Sequence, residues 1–283
     1  MTDISVVILQ KDEALHIKRC LESLSALEPR QIFVVDSFSS DGSDKLAEKM
    51  GAKVVYHQWS GLYAEQLNWA LSNLPLEGEW VMRLDADEYF LPEAIEELKT
   101  KLKHLAQDIT GVISNRRHYI FGGWAKRGTY PIKLLRVFRR GKAVCESRHM
   151  DEHMILKEGR SVEFEHDFVD HNLRDFQWWK EKHRGYAKRE AIDAIEDLRH
   201  NKDAFFFDVE GNRQYVANRR KKALYYKMPP YFRVIAYFCY RYFIKGGFLD
   251  GIIGLRWHVW QGLWYRWIVD REISRLRRDC CGK

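Results

Sequence analysis

Two carboxylates set two residues apart carry the sharpest chemical signal in the chain. Asp85 and Asp87 lie in Arg83–Leu84–Asp85–Ala86–Asp87–Glu88, directly after the apolar run Trp80–Val81–Met82. Residues i and i+2 of an extended chain point the same way, so both carboxylates can face one site at the end of a buried strand. Their hard oxygens suit Mg²⁺ or Mn²⁺, ions commonly shared with substrate phosphates. The plainer alternative is an acidic turn that caps a helix starting near Leu91. Placement directly after an apolar strand, the fourth of a series, favours the metal site.

The elements that must position this pair alternate in type. Apolar and β-branched runs predict strands over residues 4–9, 32–35, 54–56 and 80–84. Helical periodicity lies between them. A first helix follows Asp12 as N-cap, with Ile17, Cys20, Leu21 and Leu24 on one face. Asp41–Gly42–Ser43 reads as a turn into a second helix, residues 63–74 as a third, and residues 91–105 as a fourth with Pro92 in its first turn. Strands and helices in this order imply βαβ units, a parallel sheet and the α/β class. Ligands of such sheets bind beyond the carboxyl ends of the strands, which here are residues 10–13, 36–43 and 85–88. Short strands follow, among them 112–115 and 132–138, and after Leu173 the chain reads as helical. We therefore expect a catalytic domain over residues 1–172 and a helical region over 173–283.

Composition narrows the class. A chain of 283 residues, 46% hydrophobic and 31% charged, is globular rather than disordered. Residues 219–283 hold 15 Lys/Arg against 4 Asp/Glu, whereas the rest holds 32 against 36. A near-neutral body with a basic tail suggests chemistry in front and an anionic surface behind. No RRM, KH or helix-turn-helix pattern appears, so no nucleic-acid partner is expected. No stretch free of Asp, Glu, Lys and Arg is longer than residues 54–64, well short of the roughly 20 apolar residues of a membrane-spanning helix. Neither a leader nor a transmembrane segment is expected. Cys20, Cys145, Cys239, Cys280 and Cys281 form no zinc or CxxC spacing and fit a reduced, cytoplasmic setting.

Four blocks in this order resemble glycosyltransferase family 2, the inverting enzymes of the GT-A fold, and most nearly those of bacterial lipopolysaccharide-core and exopolysaccharide assembly. They are Ser5–Val6–Val7–Ile8–Leu9 with Lys11–Asp12–Glu13; Val34–Val35–Asp36–Ser37 with Ser40–Asp41–Gly42–Ser43; Trp59–Ser60–Gly61 with Gln66 and Asn68; and Leu84–Asp85–Ala86–Asp87–Glu88. Weaker similarity returns at residues 130–139, 151–153 and 245–251. The resemblance implies a Rossmann-like, mostly parallel sheet flanked by helices, with the helical, basic and aromatic C-terminal extension beyond it. It also implies a nucleoside diphosphate sugar donor, UDP foremost. Glu13, Asp36, Gln66, Arg83 and Asp85 would bind that donor, with Asp36 near the base and Asp85 at ribose or metal. Asp87 would hold the diphosphate-bound Mg²⁺ or Mn²⁺. The opening loop Leu9–Gln10–Lys11–Asp12–Glu13 departs from the family's Pro-Thr-Tyr-Asn-Glu type, which leaves the nucleotide open.

The same resemblance puts Met150–Asp151–Glu152–His153 at the family's catalytic acid position, with Glu152 and then Asp151 as the base that takes the acceptor's proton. Asp170–His171 lies where a further metal ligand would fall, and His171 is chemically suited to Mn²⁺. Arg127, Arg136 and Arg139 could neutralise diphosphate through forked hydrogen bonds. Direct displacement needs no side-chain nucleophile, and neither Gly-x-Ser-x-Gly nor a Cys/His signature is present. The acceptor would be a hydroxyl of a cell-surface glycan or glycolipid. In the tail, Arg233, Arg241 and Lys245 share an arc beside many aromatics, and Trp257, Trp260, Trp264 and Trp267 share a face. That pattern suits peripheral attachment to an anionic membrane surface on the cytoplasmic side, or else packing onto the body. Competing classes are a nucleotidyltransferase, which would show a Gly-rich loop where Gln10–Lys11–Asp12–Glu13 stands, and an inactive scaffold on the same fold.

Overall fold

The computed structural model describes residues 1–199 and 209–281. Residues 200–208 and 282–283, the last cation of the basic tail among them, lie outside the described residues, as do the side chains of Cys280 and Cys281. The strands, in chain order, are β1 (Thr2–Gln10), β2 (Pro29–Asp36), β3 (Lys53–Tyr56), β4 (Trp80–Asp85), β5 (Glu88–Phe90), β6 (Ile109–Ile120), β7 (Gly123–Trp124), β8 (Ile132–Arg139), β9 (Ala143–Cys145), β10 (Met154–Leu156), β11 (Arg160–Glu163) and β12 (Phe168–His171). The helices are α1 (Ile17–Ser23), α2 (Ser43–Lys49), α3 (Tyr63–Asn73), α4 (Pro92–Lys101), α5 (Phe176–Arg199), α6 (Arg213–Lys227), α7 (Phe232–Cys239), α8 (Gly251–Trp257) and α9 (Tyr265–Cys281).

A ten-stranded sheet runs β3-β2-β1-β4-β8-β6-β12-β5, with β7 and β11 also paired to β6. Its first four strands are parallel, as the alternating pattern predicts. From β8 onward it is mixed: β8 lies antiparallel to both β4 and β6, while β12 is parallel to β6 and antiparallel to β5. The parallel strands are covered on both faces, so successive residues enter two different cores. Ile4, Val6, Ile8, Met82 and Leu84 pack against α1 and α4. Val7, Leu9, Phe33, Val35 and Val81 pack against α3. Register aligns the strand ends: Gln10 pairs with Asp36, Asp36 with Tyr56, and Leu9 with Asp85. The polar residues that follow therefore share one rim.

Two local expectations change. Asp12 caps no helix: α1 starts at Ile17 with His16 at its N-cap. Asp12 instead adopts φ 54° and accepts the Ser40 backbone N–H at 2.7 Å and its hydroxyl at 3.0 Å, zipping the loop after β1 to the loop after β2. The turn at Asp41 stands: its carboxylate accepts the Ser43 N–H at 3.0 Å, and Gly42 takes φ 80° at the start of α2.

The C-terminal helices pack on the body and on one another. Trp257 stacks on His118 of β6 with 4.6 Å between centroids, and Trp260 and Trp264 join Phe176 and Trp179 of α5. Trp267 stays exposed. Arg233 and Arg241 do not face outward as the tail's arc suggested, for both are buried. Arg233 on α7 donates Nε to Asp270 of α9 at 3.0 Å and Nη1 to the Tyr226 carbonyl at 3.0 Å, and the Tyr231 N–H reaches the same carboxylate at 2.8 Å. Only Lys245 of the three cations is exposed. Breaking a buried pair from one side leaves a charge unpaired. We predict that Asp270→Ala lowers the unfolding free energy by about 3–5 kcal/mol in urea, and that the double replacement Arg233→Met with Asp270→Leu recovers much of it.

Candidate active site at the carboxyl rim of the sheet

β4 ends on Asp85, and a tight turn returns the chain into β5, so Asp85, Asp87 and Glu88 follow one another around a corner. None of them caps α4, whose N-cap is Leu91 without a side-chain hydrogen bond. Asp85 is held on both oxygens, by the Tyr63 hydroxyl at 2.5 Å and by Arg83 Nη1 at 3.1 Å. Burial opposes its ionisation, but Arg83 first and Arg136 next hold it below the ordinary carboxylate range. Glu88, nearly inaccessible, is clamped by Arg136 and accepts the Asp85 N–H at 3.1 Å.

Asp87 is situated differently. Asn172 donates to Oδ2 at 2.9 Å, and the other oxygen has no hydrogen bond or ion pair among the described residues. Burial, then the neighbouring Asp170, then Asp85 push its carboxyl upward. The antiparallel β5–β12 register sets Asp170 opposite Glu88 and brings that negative charge near. Asp170 itself is paired, with Arg116 at 3.2 Å and His118 at 3.1 Å. The next residue, His171, donates its N–H to the Asp87 carbonyl at 3.1 Å, and its Nδ1 lies 3.1 Å from Arg19. Burial and Arg19 lower its pKa, which keeps the imidazole neutral with Nε2 as the remaining nitrogen. The ligand atoms of Asp85, Asp87 and His171 do not form one tight group. The group of three found among the described residues is His149, Asp193 and Glu196, where Asp193 accepts the His149 and Met150 N–H groups at 3.1 and 2.8 Å and ties the loop before Asp151 to α5.

The nucleotide-side residues sit at the ends of β1 and β2. Asp36, fully buried, accepts Gln10 Nε2 at 2.8 Å and the Ser39 N–H and hydroxyl at 2.6 and 2.7 Å. Beside it Phe38 and Tyr56 stack in the open, 5.6 Å apart. Glu13 pairs with buried His16, whose Nε2 accepts the Leu173 N–H at 2.8 Å. Gln66 is spent on structure: its amide reaches Ser37 at 3.1 Å, and its carbonyl pairs with His57 Nδ1 at 2.6 Å. Arg139 lies at the far end of β4, opposite Trp80, and binds Glu79 and the Ile109 carbonyl. Arg127 pairs with Asp250 at 2.8 Å. Of the three arginines expected near diphosphate, only Arg136 lies at the rim, and it is buried beneath Glu88.

The two candidate bases part clearly. Asp151, at φ 61°, is gripped by Lys222 at 2.9 Å and Arg219 at 3.3 Å. Against the cost of desolvation, Lys222, His153 and Arg219 hold this half-exposed carboxyl far below the usual range. Glu152 has no ion-pair partner among the described residues. Burial raises its pKa, Asp151 adds to that against the pull of its own N–H, and Arg83 is within electrostatic reach. Buried Glu146 anchors this loop, accepting His153 N–H at 2.9 Å and Tyr215 hydroxyl at 2.9 Å. Lys182 of α5 faces the rim as well. Burial works against its charge, but Tyr186, Asp87 and Glu13 keep it protonated. Nothing local in the sequence singles it out from Lys180, Arg184, Lys188 and Arg189. Tyr63, Asn172 and Glu146 were likewise unmarked.

Residues 5–155 match the model of glycosyl transferase family 2. The chain belongs to this family. An uncharacterized glycosyltransferase of Rickettsia conorii is 36% identical over 96 residues, 34% of this chain and 33% of that protein. A TPR repeat-containing protein of Synechococcus elongatus is 31% identical over 102 residues, 36% of this chain and 25% of its own length. The chain spans between 25% and 40% of the curated relatives it matches. The solved structure of S. aureus TarS 1-349 in complex with UDP-GlcNAc is similar over 99% of this chain and 92% of its own, with 13% identity and a TM-score of 0.47. The Asp85 carboxylate rests on Arg83 and Tyr63. We predict that Arg83→Met, which strands Asp85, costs about 3–5 kcal/mol of stability. Tyr63→Phe, which removes one hydrogen bond to a charged group, should cost about 1.5–3 kcal/mol, both read from urea unfolding.

Proposed function

We propose that the chain is an inverting, metal-dependent transferase that moves a sugar from a nucleoside diphosphate, UDP foremost, to a hydroxyl of a bacterial cell-surface glycan or glycolipid. The observation that carries this reading is Asp87, a carboxylate pushed upward by burial and Asp170, with one oxygen unpartnered among the described residues, at the carboxyl rim of a family 2 sheet. Residues 1–172 would form the catalytic domain and residues 173–283 a helical region that adds Lys182 to the site and lies against the inner face of the cytoplasmic membrane.

The donor set suits a hard divalent cation. Burial, Asp170 and Asp85 raise the pKa of the Asp87 carboxyl, and an imidazole whose pKa is lowered stands beside it. Mg²⁺ or Mn²⁺ held by Asp87, with Asp85 and His171 adjoining, would supply charge neutralisation to the departing diphosphate. Asp36 and Glu13 bind the nucleoside, and Gln66 fixes the loop that presents Asp36. Arg83 keeps Asp85 ionised and aimed. Lys182 offsets charge on the diphosphate. The acceptor oxygen attacks the anomeric carbon from the face opposite the diphosphate, the old C–O bond breaks, and the nucleoside diphosphate leaves with its electron pair. Glu152 takes the acceptor's proton; Asp151, neutralised by Lys222 and Arg219, is a poor base and serves to position its neighbour.

Two experiments test this. Calorimetric titration of UDP with and without Mn²⁺ should show metal-dependent binding that Asp87→Ala abolishes. That variant should lose roughly 10²-fold or more in transfer with no loss of thermal stability, because a repelled carboxylate has been removed. Full activity with metal present would reject the assignment, and release of pyrophosphate in place of UDP would point to a nucleotidyltransferase. The base is read from pH. A carboxylate raised by burial works only when ionised, so kcat/KM should fall as pH drops through a value above the ordinary glutamate range. Glu152→Gln should lower the rate by about 10²–10⁴-fold and erase that limb; a limb that survives in the variant assigns the base elsewhere.

A further inference from the structure

Half of the exposed large hydrophobic side chains among the described residues fall in one stretch, residues 232–255. Ile235, Phe243, Ile244, Phe248, Leu249 and Ile252 stand open, Ile244 at 77% exposure. They come from α7, the π-helical turn Tyr240–Ile244, the 3₁₀ turn Gly247–Asp250 and the start of α8. The Tyr242 ring joins them, 5.1 Å from Phe243 and 6.3 Å from Phe248. The stretch is inverted relative to an ordinary surface: Arg233 and Arg241 point in, and isoleucine, leucine and phenylalanine point out. The exposed charge within it is Lys245, and Arg256, also exposed, follows directly at its end; both are positive, and its one acid, Asp250, has a side chain 4% exposed and bound to Arg127.

We propose that this surface is a monotopic docking platform that beds into the interface of an anionic phospholipid bilayer. An apolar face rimmed by cations alone matches a leaflet whose headgroups are negative and whose interior is apolar. A protein partner of mixed charge would find no acid to meet. No helix among the described residues is long and apolar enough to cross a membrane, and α7 and α8, of eight and seven residues, are of a length to lie flat. The platform adjoins the rim: Trp257 at the end of α8 stacks on His118, which binds Asp170. On the transferase reading this sets the acceptor pocket beside the headgroups. The lipid contact itself does not depend on that reading.

Co-sedimentation of the full chain with vesicles of phosphatidylethanolamine and phosphatidylglycerol, against pure phosphatidylcholine, tests the surface. Binding should require the anionic lipid. It should fall by about tenfold or more in Phe243→Glu with Ile244→Glu and Leu249→Glu, and it should also fall in Lys245→Glu with Arg256→Glu, which should lose the weakening by salt that wild type shows. All five positions are exposed, so circular dichroism and lipid-free UDP binding should be unchanged in both variants. Loss of UDP binding in wild type and variants alike would count against the transferase reading and leave the platform standing. The platform is overturned if wild type fails to sediment, if the triple variant sediments as well as wild type, or if the triple change instead dissolves a dimer in analytical ultracentrifugation, which would make this face a contact between two copies.

Discussion

The structure turns on how much negative charge one sheet rim can hold. Asp85, Asp87, Glu88 and Asp170 are brought together by two strand ends, the corner from β4 into β5 and the antiparallel register of β5 with β12. Unpaired, such a group would cost several kcal/mol per ion. Three members are answered from within the chain: Asp85 by Arg83, Glu88 by Arg136, and Asp170 by Arg116 and His118. Asp87 is left with one amide and a lysine at a distance. The arginines beneath the rim are therefore the condition for placing an under-paired carboxylate above it. Their burial, with Nε atoms of Arg83 and Arg136 lacking partners, is tolerated because each guanidinium still meets a carboxylate.

Legibility in the sequence follows the range of the forces involved. The parallel half could be read, because strands covered on both faces become unbroken apolar runs and the turns between them carry their own Asx and glycine chemistry. The mixed half could not. That β8 enters between β4 and β6, and that β12 reaches β5, depends on pairings across up to about 80 residues that leave no local period. The Asp85–Asp87 pair was visible as two carboxylates closing a strand. Their inequality was not, since Tyr63, Asn172 and Asp170 are remote in sequence. The choice between Asp151 and Glu152 has the same origin: adjacent acids differ because Lys222 and Arg219 on α6 reach one of them. Asp12 shows the converse, a residue with every local mark of a helix cap whose carboxylate a facing loop claims first.

The C-terminal region shows what a helical wheel can and cannot give. Arg233 and Arg241 do share a face, as spacing by 100° implies, but spacing carries no direction. Direction comes from a partner, and Asp270 on α9 supplies it for Arg233. π-helical turns at Tyr240–Ile244 and His258–Trp264 then reset the phase, so that Trp257, Trp260 and Trp264 turn toward Phe176 and Trp179 while Trp267 does not. A basic, aromatic composition is thus split in two. The aromatics of α8 and the following turn glue the helices to the sheet, and the aliphatic and phenylalanine side chains of α7 and the Gly246–Gly247 bend are left outside.

These two halves are mechanically joined. β6 carries His118, which grips Asp170 at the rim on one side and stacks under Trp257 on the other. Tyr119, the next residue, lies against His171. A force that seats α7 and α8 on a surface is transmitted to the strand that sets the charge around Asp87 through aromatic contact rather than through a flexible linker. Packed interiors transmit strain and resist continuous deformation, so the exposed apolar face and the carboxylate rim keep a fixed orientation to each other. An acceptor confined to a surface gains most from such an arrangement, because orientation imposed on the whole molecule is orientation already imposed on its site.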